Sequence, residues 1–88
     1  MYIVARHEIR DPVSFWQAVQ AGMTSMPPQL TLHQAFPNEN GTQAVCLWEA
    51  DEMNEVRDFV EESVGAFSRN HYFMVDAGNA LGLPGEQG

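Results

Sequence analysis

Two runs of alternating residues flank the segment Pro37-Asn38-Glu39-Asn40-Gly41, and this arrangement constrains the fold more than any other feature of the chain. Pro presets one backbone angle, while Asn and Gly tolerate positive φ, so the segment predicts the turn of a β-hairpin. On its near side, Leu30-Thr31-Leu32-His33-Gln34-Ala35-Phe36 alternates, with Leu30, Leu32 and Phe36 on one face and Thr31, His33 and Ala35 on the other. On its far side lies Gln43-Ala44-Val45-Cys46-Leu47-Trp48-Glu49. A turn centred near Glu39 and Asn40 sets His33 opposite Cys46 and Thr31 opposite Trp48, all on one sheet face. The other face collects Leu30, Leu32, Phe36, Val45 and Leu47, and it is the one expected to meet helices.

A strand and a helix precede the hairpin. Tyr2-Ile3-Val4-Ala5-Arg6-His7-Glu8 opens β-branched and aromatic and turns polar, a strand pattern. Asp11-Pro12 then supplies an N-cap and a first-turn proline. Phe15, Trp16, Val19 and Met23 form one stripe of a helix over roughly residues 12–23, ended by Gly22 and Pro27-Pro28. After the hairpin, Asp51 is placed to cap a second helix whose buried stripe is Met53, Val56, Phe59, Val60, Val64 and Phe67. Asp51, Glu55, Asp58 and Glu62 repel along its other side, which is therefore assigned to solvent. Gly65 stops this helix, and His71-Tyr72-Phe73-Met74-Val75 reads as a fourth strand.

The order βα, hairpin, αβ gives an α+β domain over residues 1–77: a ferredoxin-like βαββαβ sandwich with a four-stranded antiparallel sheet and two helices on one face. Right-handed crossovers place the first and third strands side by side in the centre. Residues 78–88 form a tail whose Ala80, Leu81 and Leu83 are able to dock on the body or on a partner, while Pro84-Gly85-Glu86-Gln87-Gly88 reads as disordered.

Eighty-eight residues allow one thin core, and such small domains commonly complete their burial against a neighbour. With a single cysteine, Cys46, no disulfide within the chain assists. The helix-free sheet face carries Trp48 with Tyr2 or Ile3 and Phe73 or Met74 near it, more apolar surface than a monomer normally shows. A face-to-face homodimer is the expected cover. The start MYIVARHEIR has no secretory pattern and no run approaches the length of a membrane span, so the expectation is a cytoplasmic protein without membrane contact. Four Arg and no Lys stand against 12 acidic residues, a net charge of −8 that repels phosphate backbones, so no nucleic-acid partner is expected.

Element order, size and the strand-to-helix passage Cys46-Leu47-Trp48-Glu49-Ala50-Asp51 resemble the dimeric α/β-barrel superfamily, nearest its short members. The resemblance implies two sheets packed into one barrel. It also spans cofactor-independent monooxygenases, haem-degrading enzymes, isomerases, dechlorinating enzymes and ligand-sensing domains, so fold alone leaves the role open. In the monooxygenase branch a Trp, an Asn, a Tyr and an Arg surround the substrate. Trp48 matches by position, but Ala44 stands where the Asn would be, which argues against that particular chemistry.

The residues themselves nominate a site. Arg6 in a central strand suits an ion pair across a dimer or a ligand carboxylate or phenolate. His33 and His7 are candidate bases, with Tyr72 a further titratable group. A Cys46–His33 nucleophile pair is chemically conceivable, against the ordinary role of a buried Cys as a small hydrophobe. Metal spacings such as C-x-x-C or H-E-x-x-H do not occur, so no metal and no cofactor are expected. Arg6, His33, Cys46, Trp48 and Tyr72 are thus the expected lining of a cavity for a small, partly aromatic molecule. A cofactor-independent monooxygenase or isomerase and a purely structural or interaction domain are the alternatives.

Overall fold

A computed structural model of the chain describes residues 1–84. The elements follow the order β1 (Tyr2–Ile9), α1 (Pro12–Thr24), β2 (Thr31–Pro37), β3 (Gln43–Glu49), α2 (Met53–Val64) and β4 (Ser68–Met74). The four strands form one sheet in the order β2-β3-β1-β4 with every neighbouring pair antiparallel. This is the ferredoxin-like α+β arrangement, with β1 and β3 central.

Local chemistry accounts for the element ends. Asp11 caps α1 by accepting the Ser14 backbone N–H at 3.2 Å, and Pro12 occupies the first turn. The cap of α2 is Glu52 rather than the expected Asp51, because the Glu55 carboxylate one turn on reaches back to the Glu52 backbone N–H at 3.1 Å. In the hairpin Gly41 takes φ +76°, a left-handed angle that side chains rarely adopt.

The helix-covered face of β3 is the reverse of the one expected. Ile3, Ala5, His7 and Ile9 of β1 are buried and pair across to Trp48, Cys46 and Ala44 of β3, so Trp48 and Cys46 lie under the helices. Val45, Leu47 and Glu49 point to the open face instead. Both faces of β3 are apolar, so its alternation does not say which one packs. The Trp48 ring decides it by meeting Phe59 of α2 edge-on, with ring centroids 6.0 Å apart.

Register in β2 also departs from expectation. Ala35, not His33, is opposite Cys46, and Leu32, not Thr31, is opposite Trp48. A bulge between Leu32 and Gln34 inserts His33 into the strand and flips the alternation there. Leu30 and Leu32 therefore join the core, while Phe36, on the other side of the bulge, turns to the open face beside Val45.

The core lies between that sheet face and the two helices. Phe15, Ile3 and Val56 are its largest fully buried side chains. α2 buries three residues, Val56, Val60 and Val64, whereas α1 buries only Phe15 and leaves Met23 about half exposed. The two helices are thus unequally anchored.

The tail crosses the open face at its β1 start. Leu83 is buried, the Tyr2 hydroxyl donates to the Pro84 carbonyl at 3.0 Å, and Leu47 on that face is itself buried. Leu81 is 98% exposed and makes no such contact. The segment Gly85 to Gly88 lies outside the described residues. Phe36, Val45 and Phe73, farther along the open face, remain exposed at 63%, 41% and 57%. Among the described residues no helix is long and apolar enough to cross a membrane.

Candidate functional site

Between α1, α2 and the sheet lies a chamber of about 50 Å³ whose walls are almost wholly apolar. Its lining includes Phe15, Val60 and Val64 together with three sequence candidates, His7, Cys46 and Trp48. The strand pairing brings these three together, since Cys46 and Trp48 alternate on β3 and His7 sits across from Ala44 on β1. His33 and Arg6 are placed elsewhere, on the open face. The grouping of His33 with Cys46 and Trp48 is thus undone by the bulge, and the pairing His33–Cys46 cannot serve as a thiol and its base.

Trp48 is 5% exposed, and its indole Nε1–H is the one buried side-chain polar atom among the described residues that finds no hydrogen-bond partner. An unmade buried hydrogen bond costs about 1–3 kcal/mol. The other indole illustrates the contrast, because Trp16 donates its Nε1–H to the Gly41 carbonyl at 3.4 Å.

His7 is 3% exposed and belongs to a polar chain that leads from the chamber to the helix surface. Its Nδ1 lies 2.6 Å from Asn70 Oδ1, Asn70 Nδ2 donates to Glu61 at 2.9 Å, and the Tyr72 hydroxyl donates to the same Glu61 oxygen at 2.6 Å. Glu61 accepts only, so Asn70 must turn its NH₂ toward Glu61 and its oxygen toward His7. His7 then carries its proton on Nδ1 and keeps the Nε2 lone pair. Burial holds the imidazole below its ordinary pKa, against the hydrogen bond with Asn70 and the charge of Glu61. A neutral imidazole in a fixed tautomer is an acceptor or a base.

Cys46 is free and buried, and burial pushes its thiol up to about 11. That suppresses the thiolate and assigns Cys46 to the wall as a small apolar group. Tyr72 faces the helix layer across from Ala5; burial first and the Glu61 carboxylate second push its hydroxyl well above the usual range, so it acts as a donor that holds Glu61. On the open face His33 donates through Nε2 to Glu49 at 2.9 Å and packs against Tyr2 with ring centroids 5.8 Å apart. Arg6 lies 3.8 Å from Glu8, which also accepts from His71 at 3.0 Å.

Asn70 and Glu61 were not visible as site residues in the sequence. The signal that finds them is the β1–β4 register, which sets Asn70 directly opposite His7, and that register follows from tertiary pairing rather than from any local motif. Among the described residues no three His, Cys, Asp or Glu side chains gather as metal ligands.

The chain matches no family model, no curated protein and no solved structure.

Proposed function

We propose that the chain is a small-molecule-binding protein of the dimeric α/β-barrel kind, working in the cytoplasm as a homodimer. Its chamber takes a small, planar, largely apolar molecule bearing one hydrogen-bond acceptor. The observation that carries this reading is the buried, unpaired indole N–H of Trp48, a residue of the almost wholly apolar chamber wall. A carbonyl or ether oxygen set against it removes the cost of the unmade bond, and the ring of the ligand replaces apolar contacts. His7 Nε2 offers the complementary acceptor for a hydroxyl.

Size makes the reading specific. A chamber of about 50 Å³ is below the ~150 Å³ that houses a benzene ring, so ligand entry requires the walls to part. The side that yields is the second half of α1, where Val19 and Gly22 are half-buried and the flexible Met23 is exposed, whereas α2 is held by three buried valines. For the dimer, the support is the exposed apolar side chains of the open face, Phe36 paired with Val45 and Phe73 on β4.

A second reading, cofactor-independent proton transfer as in an isomerase or monooxygenase, is favoured by His7, whose neutral imidazole and fixed tautomer suit a base at the chamber wall. It uses the same chamber and so shares the first test.

A Cβ at Gly22 meets Ser63 Oγ at 3.5 Å and the Phe59 ring at 3.6 Å, ordinary contact distances, so the Cβ of Gly22→Leu fits at this chamber-lining position and the rest of the side chain competes with a ligand for space there. Thermal shift against a panel of benzaldehyde, phenol and indole is expected to show stabilisation of the wild type that Gly22→Leu abolishes. Equal shifts in both proteins, or none in either, would leave the chamber as packing space and the domain as structural. Sedimentation at roughly twice 9.8 kDa, with Phe73→Glu reverting to the monomer, is the outcome expected for the dimer.

A further inference from the structure

The four arginines of this acidic chain are not spread over its surface. Three of them, Arg6, Arg10 and Arg69, line one open groove of about 500 Å³ at the end of the sheet where β1 leaves and β3 begins, with Thr42 and Gln43 on its other wall. Only Arg57, on α2, lies apart. The groove contains one carboxylate, Glu8, so it is an island of net charge +2 with His neutral, in a chain whose net charge is −8.

Register explains the clustering. Arg6 is opposite His71 and Arg69 is opposite Glu8 on the neighbouring strands β1 and β4, which makes the two arginines diagonal neighbours on the open face. Diagonal pairs stand roughly 7–8 Å apart, within reach of one another's side-chain ends, and like charges so placed repel. Their local compensation is slight. Glu8 is engaged by His71 at 3.0 Å and touches Arg6 only at 3.8 Å. Arg10 donates to the Ala66 carbonyl at 3.0 Å. The Arg69 side chain makes no hydrogen bond or ion pair among the described residues, although the chain carries 12 acidic residues. If these arginines served only solubility, scattering them among so many carboxylates would be the lower-energy arrangement.

We propose that this groove binds a small oxyanion, a phosphate or carboxylate group, held between the forks of Arg6 and Arg69 with Arg10 adding its charge. Guanidinium forks match planar or tetrahedral oxyanions through paired N–H donors. The exposed Gln43 amide beside them supplies a neutral donor for a further oxygen. Glu8 narrows the site by repelling from one side, which makes its removal a distinctive probe. The groove adjoins the apolar patch, since Arg6 is directly opposite Val45, and it shares only His7 with the chamber under the helices, so its arginines stand independently of the chamber reading.

The test is a titration of the full-length chain with inorganic phosphate, and separately with succinate, followed by amide NMR in 0.15 M NaCl, where exposed charges are screened beyond about 8 Å. Saturable shifts confined to residues 6–10, 42–43 and 69–71 are expected with at least one of the two anions, and the tighter of the two identifies the head group. Arg69→Ala should weaken binding about tenfold, Arg69→Lys should recover only part of it, and Glu8→Gln should tighten it several-fold. Arg57→Ala should leave it unchanged. These positions are exposed, and the unshifted remainder of each spectrum shows that the variants fold. Absence of saturable shifts with either anion, or equal weakening by Arg57→Ala and Arg69→Ala, would overturn the proposal.

Discussion

Replacing His7 by Phe separates the two roles that burial and hydrogen bonding give this residue. At neutral pH the substitution removes the bond to Asn70 Oδ1, worth about 1 kcal/mol net. Asn70 is not orphaned, because the Ser68 hydroxyl still donates to the same oxygen at 2.7 Å. The new ring meets Phe15, which His7 already contacts at a centroid distance of 5.4 Å, so packing offsets part of the loss. Wild type is therefore expected to be the more stable at about pH 7.5, by about 1 kcal/mol or less.

Acid reverses that balance. The folded state holds His7 below its ordinary 6.5, so between the two pKa values the unfolded chain binds a proton that the folded one refuses. Stability contributed by the neutral His7 is present above 6.5 and falls as pH drops below it. Full refusal of the proton over one unit below that value costs about 1.4 kcal/mol. The variant lacks this titration. Urea unfolding of both proteins from about pH 7.5 to 5 should show the wild-type advantage shrinking through 6.5 and the variant becoming the more stable at the acid end. A difference that is constant with pH, or that grows on acidification, would refute a neutral buried imidazole.

Two further perturbations follow from the packing. Gly65→Ala at the end of α2 would ordinarily stabilise a residue with right-handed helical angles, but its Cβ would sit 2.5 Å from the Glu61 carbonyl oxygen, so a loss of about 1–3 kcal/mol is expected in urea unfolding. Leu83→Ala should cost about 2 kcal/mol by releasing the tail from the open face, whereas Leu81→Ala should cost nothing measurable in the same assay because that side chain is already in water.

Element order was legible because each local signal agreed with the next. The hairpin turn, the Asp11-Pro12 helix start and the 3.6-residue stripe of α2 all point to the arrangement that the structure adopts. Facing was not legible. β3 carries apolar residues on both sides, so period 2 locates two faces without naming the buried one. The bulge at His33 leaves no mark in composition, yet it moves Leu32 and Phe36 to opposite sides of the sheet. That single insertion is why His33 belongs with Tyr2 and Glu49 rather than with Cys46 and Trp48. The pairing of His7 with Asn70 joins residues 63 apart in sequence, and nothing local to either one announces it.

The two indole N–H groups provide the most direct measurement of the ligand-binding account, because one is predicted to respond and the other serves as its control. In a titration with benzaldehyde followed by the indole resonances in ¹H–¹⁵N spectra, the Trp48 Nε1–H signal should move downfield and saturate as it gains an acceptor. The Trp16 Nε1–H, already committed to the Gly41 carbonyl, gains no acceptor, so although its ring also lines the chamber its signal should move less and without the downfield displacement. A Trp48 signal that does not shift, or one that moves linearly together with Trp16, would contradict a ligand site at the chamber beneath the helices.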